Sequence, residues 1–250
     1  MHFWFGGARG LPPAREWDSP ASNHSSMSVL DRIKGGLIVS CQAEEGSPFY
    51  QPGMMAYFAR AAELGGAMGI RAKLPDIPAI KAMCSLPVLG IDKVFVEGYE
   101  VYITPRFKDA QRIAAAGAEI IALDCTPRPR PGGEGWQEII ARIQAELKMP
   151  AMADISTLEE AVAAEAAGAD IVATTLSGYT SYAPRGEGPD WALLEAILRT
   201  VKIPVIAEGA IGTPAEAWRA LDMGAWAVVI GGAITKPTDI TRRFVAAING

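Results

Sequence analysis

From Gly35 onward the chain repeats one unit: a short, wholly apolar run, a polar residue where the run stops, a loop, and an alanine-rich segment with helical spacing. The apolar runs fall at Leu37–Cys41, Ala67–Ile70, Val88–Ile91, Glu119–Leu123, Ala151–Ala153, Asp170–Ala173, Val205–Ala207 and Ala227–Ile230. Runs this short, bounded by turn residues, predict strands buried on both faces, as in a parallel sheet. Between them the pattern predicts helices at Met54–Leu64, Ile77–Met83, Lys108–Ala116, Trp136–Leu147, Thr157–Ala167 and Asp190–Thr200, with a last one at Thr238–Ile248. Thr213-Pro214-Ala215-Glu216 combines an N-cap, a proline where the missing N–H costs nothing, and a capping-box glutamate; Ser156-Thr157-Leu158-Glu159 reads as a second box. Strand entries alternate. Gly66-Ala67, Gly117-Ala118, Gly168-Ala169 and Gly224-Ala225 precede the even strands, and Pro87, Pro150 and Pro204 precede strands three, five and seven. Eight such units predict an α/β fold with a single (β/α)8 TIM barrel. A doubly wound open sheet is the competitor, but it would not normally show eight evenly spaced units.

Composition narrows the function. The chain has 250 residues, half of them hydrophobic, and a formal net charge of −5, which suits one large α/β domain. Basic residues are scattered, so nucleic acid is not an expected partner. No apolar run approaches the roughly 18 residues of a membrane span. The three cysteines, Cys41, Cys84 and Cys125, lack metal-ligand spacing and fit a reducing cytoplasm. Cys41 and Cys125 read as buried fillers rather than nucleophiles, and the Trp and Met residues as core. Residues 1–27 mix Gly, Pro, Ser and single aromatics without period. They read as a disordered or loosely packed extension, with Met27 an alternative start and the barrel occupying residues 28–250. Both histidines, His2 and His24, fall in that extension. The predicted barrel therefore has no histidine, which excludes a Ser-His-Asp or Cys-His arrangement and a histidine-ligated metal there. Proton transfer falls to lysine, carboxylates, tyrosine or cysteine.

The residues where the apolar runs stop are Gln42, Arg71, Lys93 (after Asp92), Asp124, Asp154, Thr174-Thr175, Glu208 and Gly231-Gly232. The C-terminal ends of barrel strands converge on one mouth, so these side chains are expected to surround one pocket. Burying so many charges without partners would be costly, and a polar ligand would supply the partners. Lys93 and Glu208 are the acid–base candidates. A lysine in this position can act as a base if desolvation lowers its pKa, or it can form a Schiff base as in barrel aldolases. Gly209, Gly231 and Gly232 follow the last two strands, where backbone N–H groups can cradle a phosphate. The hydroxyl-rich loop Thr174-Thr175-Leu176-Ser177-Gly178-Tyr179-Thr180 suits a sugar. Pro184–Gly188 is a candidate lid, and Arg128 and Arg130 either reach an anionic substrate or belong to a stiff solvated connector.

With these residues assembled, the chain resembles the N-acetylmannosamine-6-phosphate 2-epimerases of sialic-acid salvage. The segments that carry the resemblance include Gly-Gly-Leu-Ile-Val-Ser-Cys-Gln (35–42), Gly-Ile-Arg-Ala (69–72), Tyr-Ile-Thr-Pro (102–105) and Ile-Ala-Leu-Asp (121–124). They continue with Met-Ala-Asp-Ile-Ser-Thr-Leu-Glu-Glu (152–160), Thr-Thr-Leu-Ser-Gly-Tyr-Thr (174–180), Val-Ile-Ala-Glu-Gly (205–209) and Ile-Gly-Gly-Ala-Ile-Thr (230–235). The resemblance spans roughly residues 30 to 248. It implies a cofactor-independent, metal-free isomerase, usually a homodimer, that interconverts N-acetylmannosamine 6-phosphate and N-acetylglucosamine 6-phosphate.

Carried over, the catalytic lysine falls on Lys93 and the catalytic glutamate on Glu208, with substrate contacts at Gln42, Arg71 and Asp154. Asp124, Thr175 and Ser177 join the expected substrate contacts, and Gly209, Gly231, Gly232 and Lys236 the phosphate contacts. Two departures stand out: relatives often have arginine where this chain has Ala210 and Lys236, and lysine keeps the charge but loses bidentate geometry. Arg128 or Arg185 could compensate. The expected chemistry is removal of the C2 proton by Lys93, with Glu208 assisting proton movement at the sugar oxygens. A Schiff-base aldolase and a catalytically silent phosphosugar-binding protein are the alternatives.

Overall fold

The protein is described here by a computed structural model that covers residues 27–184 and 186–250. The extension through residue 26, with His2 and His24, lies outside the described residues, as does Arg185. Eight parallel strands close into one barrel: β1 (Leu37–Cys41), β2 (Gly69–Lys73), β3 (Val88–Ile91), β4 (Ile120–Asp124), β5 (Ala151–Asp154), β6 (Ile171–Ala173), β7 (Val205–Glu208) and β8 (Ala227–Ile230). Each strand pairs with its neighbours in sequence, and β8 closes on β1 through Leu37↔Val228 and Val39↔Ile230. The (β/α)8 barrel is therefore the fold.

The helices follow the expected pattern with local shifts that have physical causes. After the short α1 (Val29–Arg32) come α2 (Met54–Leu64), α3 (Ile77–Met83), α4 (Phe107–Ala115), α5 (Trp136–Arg142), α6 (Leu158–Ala166), α7 (Trp191–Thr200) and α8 (Pro214–Asp222). The chain ends in α9 (Gly232–Thr235) and α10 (Pro237–Asn249). Thr213 and Glu216 form the expected capping box on α8. On α6 the box is Thr157 with Glu160, one residue later than Ser156 with Glu159, because β5 runs on through Asp154. Strand β2 also begins later than expected. Gly66 and Ala67 are spent terminating α2, where their N–H groups donate to Glu63 and Ala62 carbonyls and Gly66 adopts φ +88°. The predicted helix at Trp136–Leu147 widens into a π turn at Ile143–Leu147. Beyond β6, Tyr179–Thr180 and Ala183–Pro184 pair as a small antiparallel hairpin at the start of the candidate lid.

Two apolar layers flank the strands. Ile38, Leu89, Ile91, Ile120, Met152, Ile171, Ile206 and Val229 fill the barrel interior. The alternate residues, among them Val39, Ile70, Val88, Ile121, Ala153, Val172 and Val228, pack outward against the helices. This alternation sets which terminal residues face inward. On β3, Leu89 and Ile91 point in, so Lys93 continues the inward set, whereas Asp92 turns out to an ion pair with Arg112 of α4 at 2.9 Å. Ile33 and Trp226 close the opposite end, the indole N–H donating to the Leu30 carbonyl at 2.9 Å. Cys41 and Cys125 are buried and unpaired, as expected of fillers, and so is Cys84. The reading of Trp and Met as core holds for Trp136 but not for Trp218, Met27 or Met83, which are exposed.

Gly90 keeps the strand that carries Lys93 in place. A Cβ there would run into Ile113 Cγ2 and lie 2.9 Å from Ala118 Cβ, both on the outward face. Gly90→Ala is expected to cost about 1–3 kcal/mol by overpacking. Urea unfolding checks this; a variant as stable as the parent would show that β3 can move away from α4 freely.

Candidate active site

The C-terminal ends of the strands open into a cavity of about 800 Å³. Lys93, from the β3 end, and Glu208, from the β7 end, both line it. In the ring, β3 and β7 are separated by three strands in either direction, so the amine and the carboxylate approach from opposite sides of one mouth. Gln42, Arg71 and Thr175 line the same cavity, as do Gly209, Gly231, Gly232 and Lys236.

Arg71 sits at the centre of the charge arrangement. Its guanidinium is 1 % exposed and forms a forked pair with Asp154, at 3.0 Å (Nη1 to Oδ1) and 2.6 Å (Nη2 to Oδ2). The same Nη1 lies 3.2 Å from Glu208 Oε2. A side chain rooted on β2 thus touches carboxylates from β5 and β7, which places its head over the barrel axis. Asp154 and Glu208 keep Arg71 charged despite burial, raising its pKa. Asp154 is fully buried behind Arg71 and does not line the cavity, so it supports the guanidinium from below.

Glu208 and Lys93 are pushed in opposite directions. Burial raises the pKa of Glu208 above the usual carboxylate range, and nearby Asp154 adds to this, while Arg71, Lys93 and any hydrogen bond that Thr175 donates to the ionised carboxylate pull the other way. Burial lowers the pKa of Lys93, opposed by Glu44, whose Oε1 lies 3.1 Å from Nζ. The backbone around Lys93 is held by a local pairing: Val94 N–H donates to the Tyr102 carbonyl at 2.8 Å, and Thr104 N–H to the Asp92 carbonyl at 2.7 Å. Thr104 adopts φ +45°, and its hydroxyl donates to the Ala122 carbonyl at 2.6 Å, tying this loop to β4. Glu208 is fixed on its other side by Thr174. That hydroxyl accepts from the Glu208 N–H and donates to its carbonyl at 3.0 and 2.7 Å.

The glycine loops follow β7 and β8. Gly209 has φ +114°, which only glycine adopts readily, and Ala210 follows at φ +55°. A Cβ at Gly231 would lie 3.3 Å from Ser40 Cβ, so the β8 end packs closely on β1. Thr235 locks the next turn there, its hydroxyl donating to the Ser40 carbonyl at 2.9 Å. In α9 the Ile234 and Thr235 N–H groups donate to the Gly231 carbonyl, and a Cβ at Gly232 would lie 3.6 Å from Lys236 Cδ, so the lysine side chain folds back toward the start of the helix.

The structure does not bring every expected residue to the cavity. The Asp124 carboxylate is buried and occupied by Thr126 (N–H at 2.9 Å, hydroxyl at 2.7 Å) and by Arg128 at 2.7 Å. That network also consumes Arg128, and Arg130 donates to the Asp124 carbonyl, so this loop holds itself rather than reaching a ligand. Ser177 is directed outward to Asp190, at 2.8 Å, where it secures the start of α7. Tyr179, from the hydroxyl-rich loop, lines the cavity, and other cavity residues had no role in the sequence reading: Glu44, Phe95, Tyr102 and Arg243. Phe95 and Tyr102 stack with ring centroids 5.0 Å apart at the lip. Tyr102 lies within one of the segments of family resemblance. Glu44 and Arg243 stand on a loop and the last helix, away from any strand end. Among the described residues, no group of His, Cys, Asp or Glu is placed to hold a metal ion.

Comparison with known proteins gives a consistent result. A family model described as "Putative N-acetylmannosamine-6-phosphate epimerase" matches residues 55–250. A Caldanaerobacter subterraneus protein named "Putative N-acetylmannosamine-6-phosphate 2-epimerase" is 51% identical over 224 residues, 89% of this chain and 94% of that protein. A protein of the same name from Thermosynechococcus vestitus is 47% identical over 223 residues, 89% of this chain and 97% of its own length. The solved structure of the N-acetylmannosamine-6-phosphate 2-epimerase from Clostridium perfringens matches with a TM-score of 0.86 and 47% identity, covering 91% of this chain and 99% of that one. Thiamine phosphate pyrophosphorylase from Pyrococcus furiosus, at 19% identity and a TM-score of 0.56, shares the fold alone.

Because Glu208 holds its proton more tightly folded than unfolded, the native state binds more protons across that interval. Stability then falls as pH rises through the raised pKa. Glu208→Gln cannot ionise, so its stability is expected to decline less than that of the parent between about pH 4 and pH 8. Urea unfolding of both proteins across that range decides the point; parallel declines would contradict the raised pKa.

Proposed function

Since the chain belongs to the N-acetylmannosamine-6-phosphate epimerase family, we infer that it is an isomerase interconverting N-acetylmannosamine 6-phosphate and N-acetylglucosamine 6-phosphate. The observation that carries this reading at the level of chemistry is an amine and a carboxylate set on opposite strands of one cavity, with pKa values displaced toward each other. Groups poised in this way suit proton transfer near neutral pH.

In the open-chain sugar the C2 hydrogen is acidified by the C1 aldehyde. Lys93, neutral, takes that proton on Nζ, and the electron pair moves toward C1–O1 to form an enolate that keeps the acetamido nitrogen on C2. Arg71 is the nearby fixed positive charge for the developing oxyanion, held in place by Asp154. Glu208 moves a proton at the sugar oxygens, and return of a proton to the other face of C2 completes the epimerisation. Gln42 and Thr175 flank the reacting end. N–H groups at Gly209, Gly231 and Gly232, with Lys236, would hold the 6-phosphate, and anchoring this remote group orients C2. Arg243, which also lines the cavity, adds a second cation on that side and offsets the alanine at position 210.

The finer setting follows the same reading. The reaction serves amino-sugar and sialic-acid breakdown, and the buried unpaired cysteines suit a cytoplasmic enzyme. No described helix is long and apolar enough to cross a membrane. We take the protein as a homodimer. Helix α10 has no buried residue and leaves Phe244, Val245 and Ile248 exposed at 69%, 49% and 80%, an apolar face that a second copy would cover.

In heavy water, turnover of N-acetylmannosamine 6-phosphate is expected to place deuterium at C2, as followed by NMR. Lys93→Met should lower both exchange and epimerisation by a factor of about 100 or more. Epimerisation without C2 labelling would refute proton abstraction, and borohydride trapping of Lys93 with substrate would favour a Schiff base. For the parent enzyme, kcat/KM should rise with pH as Lys93 loses its proton, with the midpoint below the ordinary lysine range. Sedimentation should report a dimer that Phe244→Asp dissociates; a monomeric parent would refute the assembly.

A further inference from the structure

We propose that Thr175 is a positioning residue whose hydroxyl holds a proton on Glu208 in the resting enzyme, making Glu208 the acid of the site. The proposal rests on the epimerase reading and specifies what Glu208 does within it. The Thr175 hydroxyl oxygen lies 2.7 Å from Asp154 Oδ1 and 2.9 Å from Glu208 Oε2. A hydroxyl has one hydrogen to donate, and an ionised carboxylate can only accept. If both acids were ionised, one of these two short contacts would set lone pair against lone pair.

The surroundings decide which acid carries the extra proton. Asp154 is fully buried and receives both arms of the Arg71 fork, the bidentate geometry of a guanidinium–carboxylate pair. Glu208 receives one longer contact, 3.2 Å, from the Nη1 that already serves Asp154. The charged groups that face Glu208 are Arg71 from β2, Asp154 from β5 and Lys93 from β3. Arg71 and Asp154 neutralise each other, so an ionised Glu208 would leave the buried cluster with an uncompensated negative charge. With Glu208 protonated, every contact is satisfied: Glu208 Oε2–H donates to Thr175 Oγ1, whose own hydrogen goes to Asp154 Oδ1. Burial of the Glu208 carboxyl pushes in the same direction.

This arrangement gives Thr175 a specific part in turnover. When the O–H bond at Glu208 breaks and its proton passes to a sugar oxygen, the Thr175 hydrogen can rotate from Asp154 to the new carboxylate. Asp154 stays paired with Arg71 during that rotation. The C2 proton resides on Lys93 meanwhile, so the charge lost at Glu208 is matched by the charge gained at the amine. Return of the proton from Lys93 to the opposite face of C2, once the enolate has turned, and return of the sugar-oxygen proton to Glu208 give the epimer and restore the resting state. Thr175 therefore spends its hydroxyl on the two carboxylates in the resting site, not on the sugar as its sequence position led one to expect.

The test reads Glu208 directly. Infrared spectra of the unliganded parent at neutral pH should contain the carbonyl stretch of a buried, protonated carboxylic acid, and Glu208→Gln should lack it. The protonated state has one more hydrogen bond through Thr175 than the ionised state. Thr175→Val is therefore expected to shift the Glu208 limb of the kcat/KM profile to lower pH by about one pH unit. Thr175→Ser, which keeps the hydroxyl, should hold the limb where the parent has it. Absence of the band, a Thr175→Val profile that stays in place or moves to higher pH, or a Ser variant that shifts like Val would each overturn the proposal. The infrared measurement needs no turnover. A parent that shows the band yet fails to epimerise N-acetylmannosamine 6-phosphate would overturn the epimerase reading and leave the proton assignment standing.

Discussion

The buried fork between Arg71 and Asp154 is the constraint on which the candidate active site depends. Removing two charges from water costs several kcal/mol per ion, and only close, well-directed contacts offset it. Here the contacts are supplied across the barrel: the arginine is rooted on β2, its partner on β5, and the same head reaches Glu208 on β7. Three strands that are not neighbours in the sheet are joined by one guanidinium. The barrel interior below it is wholly apolar, so the charged layer has one face against hydrocarbon and one against the cavity. That position is why the carboxylate of Glu208 is reluctant to ionise and why a cation can persist beneath a reacting sugar.

Lys93 stands on the other side of the mouth under the opposite bias. Burial favours its neutral form, the form a base needs, while Glu44 from the β1 loop draws it back toward the ammonium. The two contributions differ in kind. Desolvation is built into the barrel end and does not change without unfolding β3. The Glu44 contact involves a half-exposed side chain on a loop, so bound substrate can displace it. The catalytic pair is thus tuned by a rigid layer on the carboxylate side and an adjustable contact on the amine side. The glycine loops after β7 and β8 complete the cavity with backbone rather than side chains. Gly209 needs a left-handed φ, and the close approach of Gly231 to Ser40 leaves little room for a Cβ.

Much of this was legible along the chain because a barrel writes the same unit eight times. The apolar runs, the glycines and prolines that bound them and the caps on α8 are local, and apart from the end of β2, three residues late at Lys73, the strands lie within a residue or two of where the pattern predicts. The polar residue closing each run also marked Gln42, Arg71, Lys93, Thr175 and Glu208 as companions, and they do line one cavity. The same rule did not bring Asp124 or Asp154 to the cavity wall, nor did the hydroxyl-rich loop bring Ser177 there. Asp124 faces inward by alternation, but Arg128 and Thr126, two to four residues away, fold back and occupy its carboxylate. Ser177 lies one turn past its strand, where the chain has already left the ring.

What the sequence determined by itself was the closed ring of strands, the set of residues at its mouth, and the absence of histidine from residues 27–250. Those follow from local periodicity, turn chemistry and composition, which one chain carries in full. Only the tertiary structure decided which charges meet. Strands apolar on both faces carry no sign of which residues point inward, so Lys93 facing the cavity and Asp92 facing α4 could not be told apart by pattern. The fork from Arg71 to Asp154, the reach to Glu208 and the shared Thr175 hydroxyl join positions up to 137 residues apart through barrel closure. Burial, unlike periodicity, is a property of the whole assembly, and burial is what shifts the two proton-transfer groups toward each other.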